Sequence, residues 1–344
     1  MVSHAVVNVL DAVPSPGDAP PVRWGILGAG RIAADFADEV RVFTQGHVAA
    51  VGSRDEHRAR DFVQRHAPSA AVHGSYEALV ADPDVDVVYV ATPHSHHRDH
   101  ALLAIAAGRH VLVEKAFTRN EAEAREVFDA ARAAGVFVME AMLTRHLPHV
   151  AAIRALIAQG EVGEVRSVTA GYGSAAAYDP SHRLFAPELA GGALLDIGVY
   201  PLAFAMDLLG VPDAVTAVGL LAPTGVDAQS TVVLRYGDRA TATLSSSVLA
   251  RSATSLVVAG TGGRIEVADR FMVPTAFSVV WADGARREYD GFVPAGKQYE
   301  AAEVARCVAA GVPESPRMTW QDTLDLMRVM DAARAQLGVV YPGE

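Results

Sequence analysis

At 344 residues the chain exceeds one ordinary hydrophobic core, so two domains are expected, each large enough to bury its own interior. Hydrophobic residues make up 51% and charged residues 20%, a globular balance, and the formal net charge of −11 leaves no basic stripe for a nucleic-acid backbone. No uninterrupted apolar run reaches the ~18 residues that span a bilayer, and the one cysteine, Cys307, permits no internal disulfide; a cytoplasmic protein without nucleic-acid or membrane partners is expected.

Residues 1–21 hold a short apolar stretch broken by Asn8 and Asp11, with no basic start, and read as a disordered tail. From Val22 short apolar runs alternate with amphipathic segments. WGILG, HVAAVG, VDVVYVAT, HVLVEK and VFVME read as strands, spaced for helical crossovers between parallel neighbours. RIAADFADEVRVF and HALLAIAAG read as helices, and another opens at Asn120, with Glu123 completing a capping box and Gly135 ending it. This α/β pattern predicts an N-terminal Rossmann domain over 22–143. From 144 the texture changes: HLPHVAAIRALIAQG leads into VRSVTAGYG, STVVLRYG, RATATLSSSV, TSLVVAG, GRIEV and FSVVW. Strands in such sequence predict an α+β domain over 144–344 with a largely antiparallel open sheet. A helix after Asp196 and two late ones, QYEAAEVARCVAAG and TWQDTLDLMRVMDAARAQLG, can cover one face of that sheet.

Five constellations could carry chemistry. Gly28-Ala29-Gly30-Arg31-Ile32-Ala33 follows a strand and opens a helix, so Gly28 and Gly30 allow a close approach of pyrophosphate to the N–H groups around Arg31 and Ile32. The alternative is a simple tight turn. At the next strand end, Ser53 and Arg54, with Arg58 one turn on, suit a 2′-phosphate, which favours NADP and leaves NAD open; Asp55 either takes a ribose or caps the helix. In ATPHSHH the residues Thr92, Pro93 and His97 are placed toward the nicotinamide side of the cofactor. Four histidines, at 94, 96, 97 and 100, invite a zinc reading, but a second paired ligand set is lacking and no metal is predicted. Glu114-Lys115 ends the following strand, and the chain has only two lysines, Lys115 and Lys297, against 27 arginines. An ion pair fixing the loop would explain the doublet; a catalytic amine would explain why lysine stands where arginine, which cannot release a proton, is the habit. Finally, in GGALLDIGVY, Asp196 and Tyr200 are four residues apart and share a face if a helix starts there. An N-cap and a core aromatic fit that spacing equally well.

Taken in order, the glycine loop, ATPHSHH, the Glu114-Lys115 strand end, EAMLTRHLP and GGALLDIGVYP resemble the Gfo/Idh/MocA oxidoreductases from Val22 to the end. With Tyr200 in place of the histidine of inositol dehydrogenases, and with its closing stretch, the chain is similar to the branch of dihydrodiol dehydrogenases, NADP-dependent D-xylose dehydrogenases and sugar ketoreductases. The resemblance implies an NADP-dependent enzyme moving a hydride to or from a CH–OH carbon of a sugar, keto-sugar or cyclic diol. It implies Lys115 and Tyr200 as the acid/base pair, Asp196 and His97 close by, and a C-terminal sheet that builds a homodimer or homotetramer. Two departures stand out: Ala116 replaces the proline of the family's Glu-Lys-Pro, and Leu143 and His146 replace aromatic residues of the branch. The alternatives are a non-catalytic NADP-binding regulator and an NAD-dependent glycosidase of the same family.

Overall fold

The computed structural model describes residues 6–344. In chain order the elements of the first part are β1 (Val7–Asn8), β2 (Arg23–Leu27), α1 (Arg31–Phe43), β3 (His47–Gly52), α2 (Glu56–His66), β4 (Ala71–His73), α3 (Tyr76–Ala81), β5 (Val87–Val90), α4 (His97–Ala106), β6 (His110–Glu114), α5 (Glu121–Ala134) and β7 (Val138–Ala141). There follow α6 (Pro148–Ala158), β8 (Val165–Gly173), α7 (Val199–Leu209), β9 (Ala214–Leu221), β10 (Asp227–Tyr236), β11 (Ala240–Ser247), β12 (Leu256–Gly260), β13 (Gly263–Val267), β14 (Ala276–Trp281), β15 (Arg286–Asp290), α8 (Lys297–Ala309) and α9 (Trp320–Leu337). The chain divides into two compact units. One holds Pro14–Met142 and Ala295–Met327; the other holds the residues up to Val13, Leu143–Pro294 and Arg328–Glu344.

The first unit is a parallel sheet in the order β4-β3-β2-β5-β6-β7. Chain direction across the sheet reverses between β2 and β5, the switch point at whose carboxyl ends open α/β sheets bind ligands. β5 is buried at every position, Val87–Val90, and β2 and β6 at every position after their first, as parallel strands covered on both faces must be. α1 turns Ala33, Phe36, Ala37 and Val40 inward at helical spacing. Phe36 stacks on Tyr89 with ring centroids 4.1 Å apart and meets Trp24 edge-on at 4.9 Å. α5 forms as its caps predict: the Asn120 side chain accepts the Glu123 N–H at 2.9 Å, and Gly135 closes the helix at φ +67°. The Glu123 carboxylate reaches one residue further back than a capping box requires, to the Arg119 N–H at 3.1 Å.

Two boundaries differ from the sequence expectation. Residues 1–5 of the expected disordered tail lie outside the described residues, but from residue 6 it has structure: β1 pairs in parallel with β15, and Val9, Val13 and Ala19 are buried. The short apolar stretch is the reason, because it supplies both an edge strand and side chains to bury. The sequence pattern puts the late helices in the C-terminal domain, whereas α8 and the start of α9 belong to the parallel-sheet unit. Polar ties specify this. The Glu39 carboxylate of α1 accepts the N–H groups of Gly296, at 2.9 Å, and Lys297, and Trp320 donates its indole N–H to the Val138 carbonyl at 2.9 Å.

The second unit is a mixed sheet in the order β1-β15-β14-β13-β12-β8-β11-β10-β9, with parallel pairings at β1–β15 and β8–β11 and antiparallel ones elsewhere. β10 and β11 alternate as half-buried strands do: Val232, Leu234, Ala242 and Leu244 face inward, while Val233 and its outward neighbours are exposed. α7 packs against β8 and β11. The stretch Pro187–Leu209 is long and apolar enough to cross a membrane by composition, and 83% of its most apolar window is buried within the protein.

Candidate active site

At the carboxyl end of β2, the Gly28 N–H donates to the Gly52 carbonyl at 3.1 Å, which draws the loop against the end of β3. Gly28 has φ +107°, and a Cβ there would stand 2.9 Å from the Ala91 carbonyl oxygen, so no other residue fits without moving the β5 loop. A Cβ at Gly30 would meet nothing within 4 Å, and among the described residues no side chain caps α1. Bare backbone beside open space, ahead of the N–H groups of Arg31 and Ile32, is the cradle that a pyrophosphate requires. The residues therefore fit a dinucleotide. At the end of β3 Ser53 is buried, and Arg54 and Arg58 are exposed. Asp55 proves to be the cap of α2, accepting the N–H groups of His57 and Arg58 at 3.0 and 3.4 Å.

The loop after β5 and the strand end at Lys115 are tied by one histidine. His97 has no exposed surface; its Nδ1 lies 2.9 Å from the Ala116 carbonyl and its Nε2 2.7 Å from that of Thr92. Burial lowers its pKa against the pull of those carbonyls. A ring so enclosed offers no surface to a ligand and holds backbone instead, while Thr92 and Pro93 keep part of their surface exposed. His100 bonds Thr92 Oγ1 at 3.0 Å, and burial pushes it down to about 4. Among the described residues no three His, Cys, Asp or Glu side chains converge to hold a metal ion.

Glu114 is anchored rather than exposed. Its carboxylate accepts the Tyr89 hydroxyl and, at 3.2 Å, the Lys115 N–H, and Lys297 Nζ lies 3.9 Å away. The Lys115–Ala116 peptide bond is cis. Lys297, Glu39 and Glu300 were not anticipated, although the scarcity that singled out Lys115 applied equally to Lys297. Glu300, one turn along α8, has no exposed surface; burial, with Glu114 and Glu39 adding to it, pushes its pKa up to about 8.

In the second unit Asp196 and Tyr200 do not sit on one regular helix. Leu194–Gly198 forms a π turn that runs into α7, so Tyr200 occupies the second position of α7, whose N-cap is Gly198, and Asp196 lies inside the π turn. Asp196, 9% exposed, is instead gripped by Arg183, whose Nη1 lies 2.7 Å from Oδ1. Arg183 was missed because nothing in the sequence marks it among 27 arginines. The Tyr200 ring retains exposed surface, with the Tyr172 ring of β8 6.3 Å from it.

The chain matches two family models, the oxidoreductase family with an NAD-binding Rossmann fold over residues 22–142 and the GFO/IDH/MocA C-terminal domain over 150–266. A trans-1,2-dihydrobenzene-1,2-diol dehydrogenase from Danio rerio is 38% identical over 330 residues, covering 93% of this chain and 98% of the relative. A D-xylose 1-dehydrogenase (NADP(+)) from Hypocrea jecorina is 35% identical, covering 95% and 94%. Among solved structures, a 3-ketoreductase from Actinomadura kijaniata in complex with NADP and TDP-benzene superposes with a TM-score of 0.79 at 28% identity, over 92% of this chain and 98% of that one. An aldose-aldose oxidoreductase from Caulobacter crescentus gives 0.82 at 25% identity, over 93% and 98%. With the glycine cradle, the anchored Glu114-Lys115 strand end and both domain models in register, the chain belongs to the Gfo/Idh/MocA family and is a nicotinamide-dependent oxidoreductase.

Proposed function

We propose that the protein is an NADP-dependent dehydrogenase or reductase acting on a CH–OH carbon of a sugar, keto-sugar or cyclic diol, with Tyr200 and Lys115 as its acid/base pair. The observation that carries this reading is the strand end at Lys115: a lysine in an arginine-rich chain follows a carboxylate held by a hydroxyl, an amide and a second lysine. Such anchoring gives the amine a defined root at the carboxyl edge of the sheet, where ligands bind. NADP is favoured over NAD because Asp55 is committed to capping α2, which leaves Ser53, Arg54 and Arg58 to meet a 2′-phosphate.

The bound dinucleotide would supply or accept the hydride at C4 of its nicotinamide. Gly28, Gly30 and the N–H groups of Arg31 and Ile32 would hold its pyrophosphate, and Thr92 and Pro93 would contact its nicotinamide side. Tyr200 as the phenolate takes the proton of the substrate hydroxyl during oxidation and as the phenol returns it during reduction, and the Lys115 ammonium holds the oxygen on which charge develops. Asp196, oriented by Arg183, accepts a neighbouring substrate hydroxyl. Glu114 and His97 fix the backbone on either side of Lys115.

A screen of D-xylose, keto-sugars and trans-dihydrobenzenediol, run with NADP and NAD in parallel and followed by nicotinamide absorbance, tests the substrate class. Tyr200→Phe and Lys115→Ala should each lower kcat by about a hundredfold or more and leave NADPH affinity within about threefold. Wild-type rates in both variants end this reading, and hydrolysis of aryl glycosides without net reduced cofactor points to a glycosidase. A homo-oligomer built on the second unit's sheet is also proposed: Val218, Leu220 and Val233 on β9 and β10 are 65%, 57% and 38% exposed. Light scattering coupled to gel filtration measures it; a monomer at micromolar concentration would contradict it.

A further inference from the structure

Asp227, the first residue of β10, has no exposed surface. A buried carboxyl carries a desolvation penalty, so what its oxygens do there matters. Oδ2 accepts the Leu194 N–H at 2.7 Å. Oδ1 faces Gly192, where an added Cβ would stand 2.3 Å from it and where φ is +124°. The chain's C-terminal end grips the same turn: the Tyr341 hydroxyl donates to the Gly191 carbonyl at 2.7 Å. Behind it the Arg334 guanidinium lies 4.7 Å from the Tyr341 ring centroid and is paired with Glu344 at 2.8 Å. From the other side the Gly192 N–H donates to the Leu184 carbonyl at 2.9 Å, next to Arg183, the partner of Asp196. Segments distant in sequence thus converge on a glycine pair just ahead of Asp196 and Tyr200.

We propose that Asp227 is a positioning residue for proton transfer: its carboxylate, with Tyr341 beside it, sets where the turn 192–198 begins and hence where Asp196 and Tyr200 project. This rests on the reading that Tyr200 moves the substrate proton. The groups that act electrostatically on Asp227 are Arg334 of α9 and Tyr341, which in turn feel Glu344 and Asp331. Burial pushes the Asp227 carboxyl up to about 6. A carboxylate holds an N–H more strongly than a carboxylic acid does, so the turn is gripped above that pH and loosens below it.

The test is steady-state kinetics across pH for Asp227→Asn and Tyr341→Phe beside Tyr200→Phe, with the faster of D-xylose and trans-dihydrobenzenediol as substrate. NADPH affinity by fluorescence and thermal melts accompany each variant. Asp227→Asn should lower kcat about tenfold, leave KM and NADPH affinity within about threefold, and remove an acid limb near pH 6 from the kcat profile. Tyr341→Phe should lower kcat about threefold and keep that limb, since it removes one donor and no charge. An unchanged kcat in Asp227→Asn, a surviving acid limb, or a lowered melting point with wild-type kcat overturns the proposal. If Tyr200→Phe collapses and Asp227→Asn does not change, this inference alone falls; full activity in Tyr200→Phe removes the functional reading and the inference with it.

Discussion

The two units build the turns at Gly28 and at Asp196 in different ways. In the first, the loop from Gly28 to Ile32 is made by adjacent residues: a strand ends, one glycine takes a positive φ, another leaves open space, and a helix starts. In the second, the turn that leads to Tyr200 is made by residues far apart in the chain, with Arg183, Leu184, Asp227 and Tyr341 all closing on it. A locally built turn is a portable binding device, whereas a turn assembled from distant parts depends on the whole packing of its unit. Damage to the first should therefore register as lost cofactor affinity and damage to the second as lost turnover.

Gly28→Ala puts a Cβ 2.9 Å from the Ala91 carbonyl oxygen at φ +107°. NADPH affinity should fall about a hundredfold in a fluorescence titration, and an unchanged affinity would break the local half of the comparison. Arg183→Ala removes the guanidinium 2.7 Å from Asp196. Here kcat should drop by about ten- to thirtyfold with NADPH affinity intact; a loss confined to affinity would mean that the two turns do not divide the work. Arg54→Ala should weaken NADPH about tenfold and leave NADH unchanged, as removal of one charge-assisted phosphate contact predicts. Equal loss for both cofactors would assign Arg54 elsewhere.

The smallest effect concerns the buried acid of α8. Because burial raises Glu300 to about 8, above its ordinary value, its contribution to stability is fully present at low pH and disappears as pH rises through about 8. Glu300→Gln should therefore melt a few degrees above wild type at about pH 9 and not above it at about pH 5. A constant offset across pH would show that Glu300 stays charged in the folded protein.

Residues whose roles follow from neighbours in sequence were legible before any coordinates. The Asn120 cap with its Gly135 stop, the glycine loop and the 31–43 helix appear where the spacing put them. The parallel strands β2, β3, β5 and β6 were found because each is a continuous apolar run bounded by turn signals. β15, RREYD, was missed because an edge-side strand rich in charge has no such run. Asp55 could be read two ways, and the choice fell to a cap whose geometry is not set by residue type. Arg183, Asp227 and Glu300 carried no local signal, and Lys297 only its rarity, since an ion pair or a buried carboxyl is defined by what folds against it.

Sequence alone determined the two-part architecture, the dinucleotide loop and the family to which the chain belongs, because those follow from hydrophobic period, backbone-permissive glycines and ordered short motifs. Tertiary structure alone decided which unit takes α8, that the segment before residue 22 adds an edge strand from residue 7, and that Asp196 sits in a π turn under Arg183. The physical reason is range. Backbone conformation is largely a property of a few consecutive residues, whereas burial, ion pairing and the hold on the turn before Tyr200 are set between residues that only the folded chain brings together.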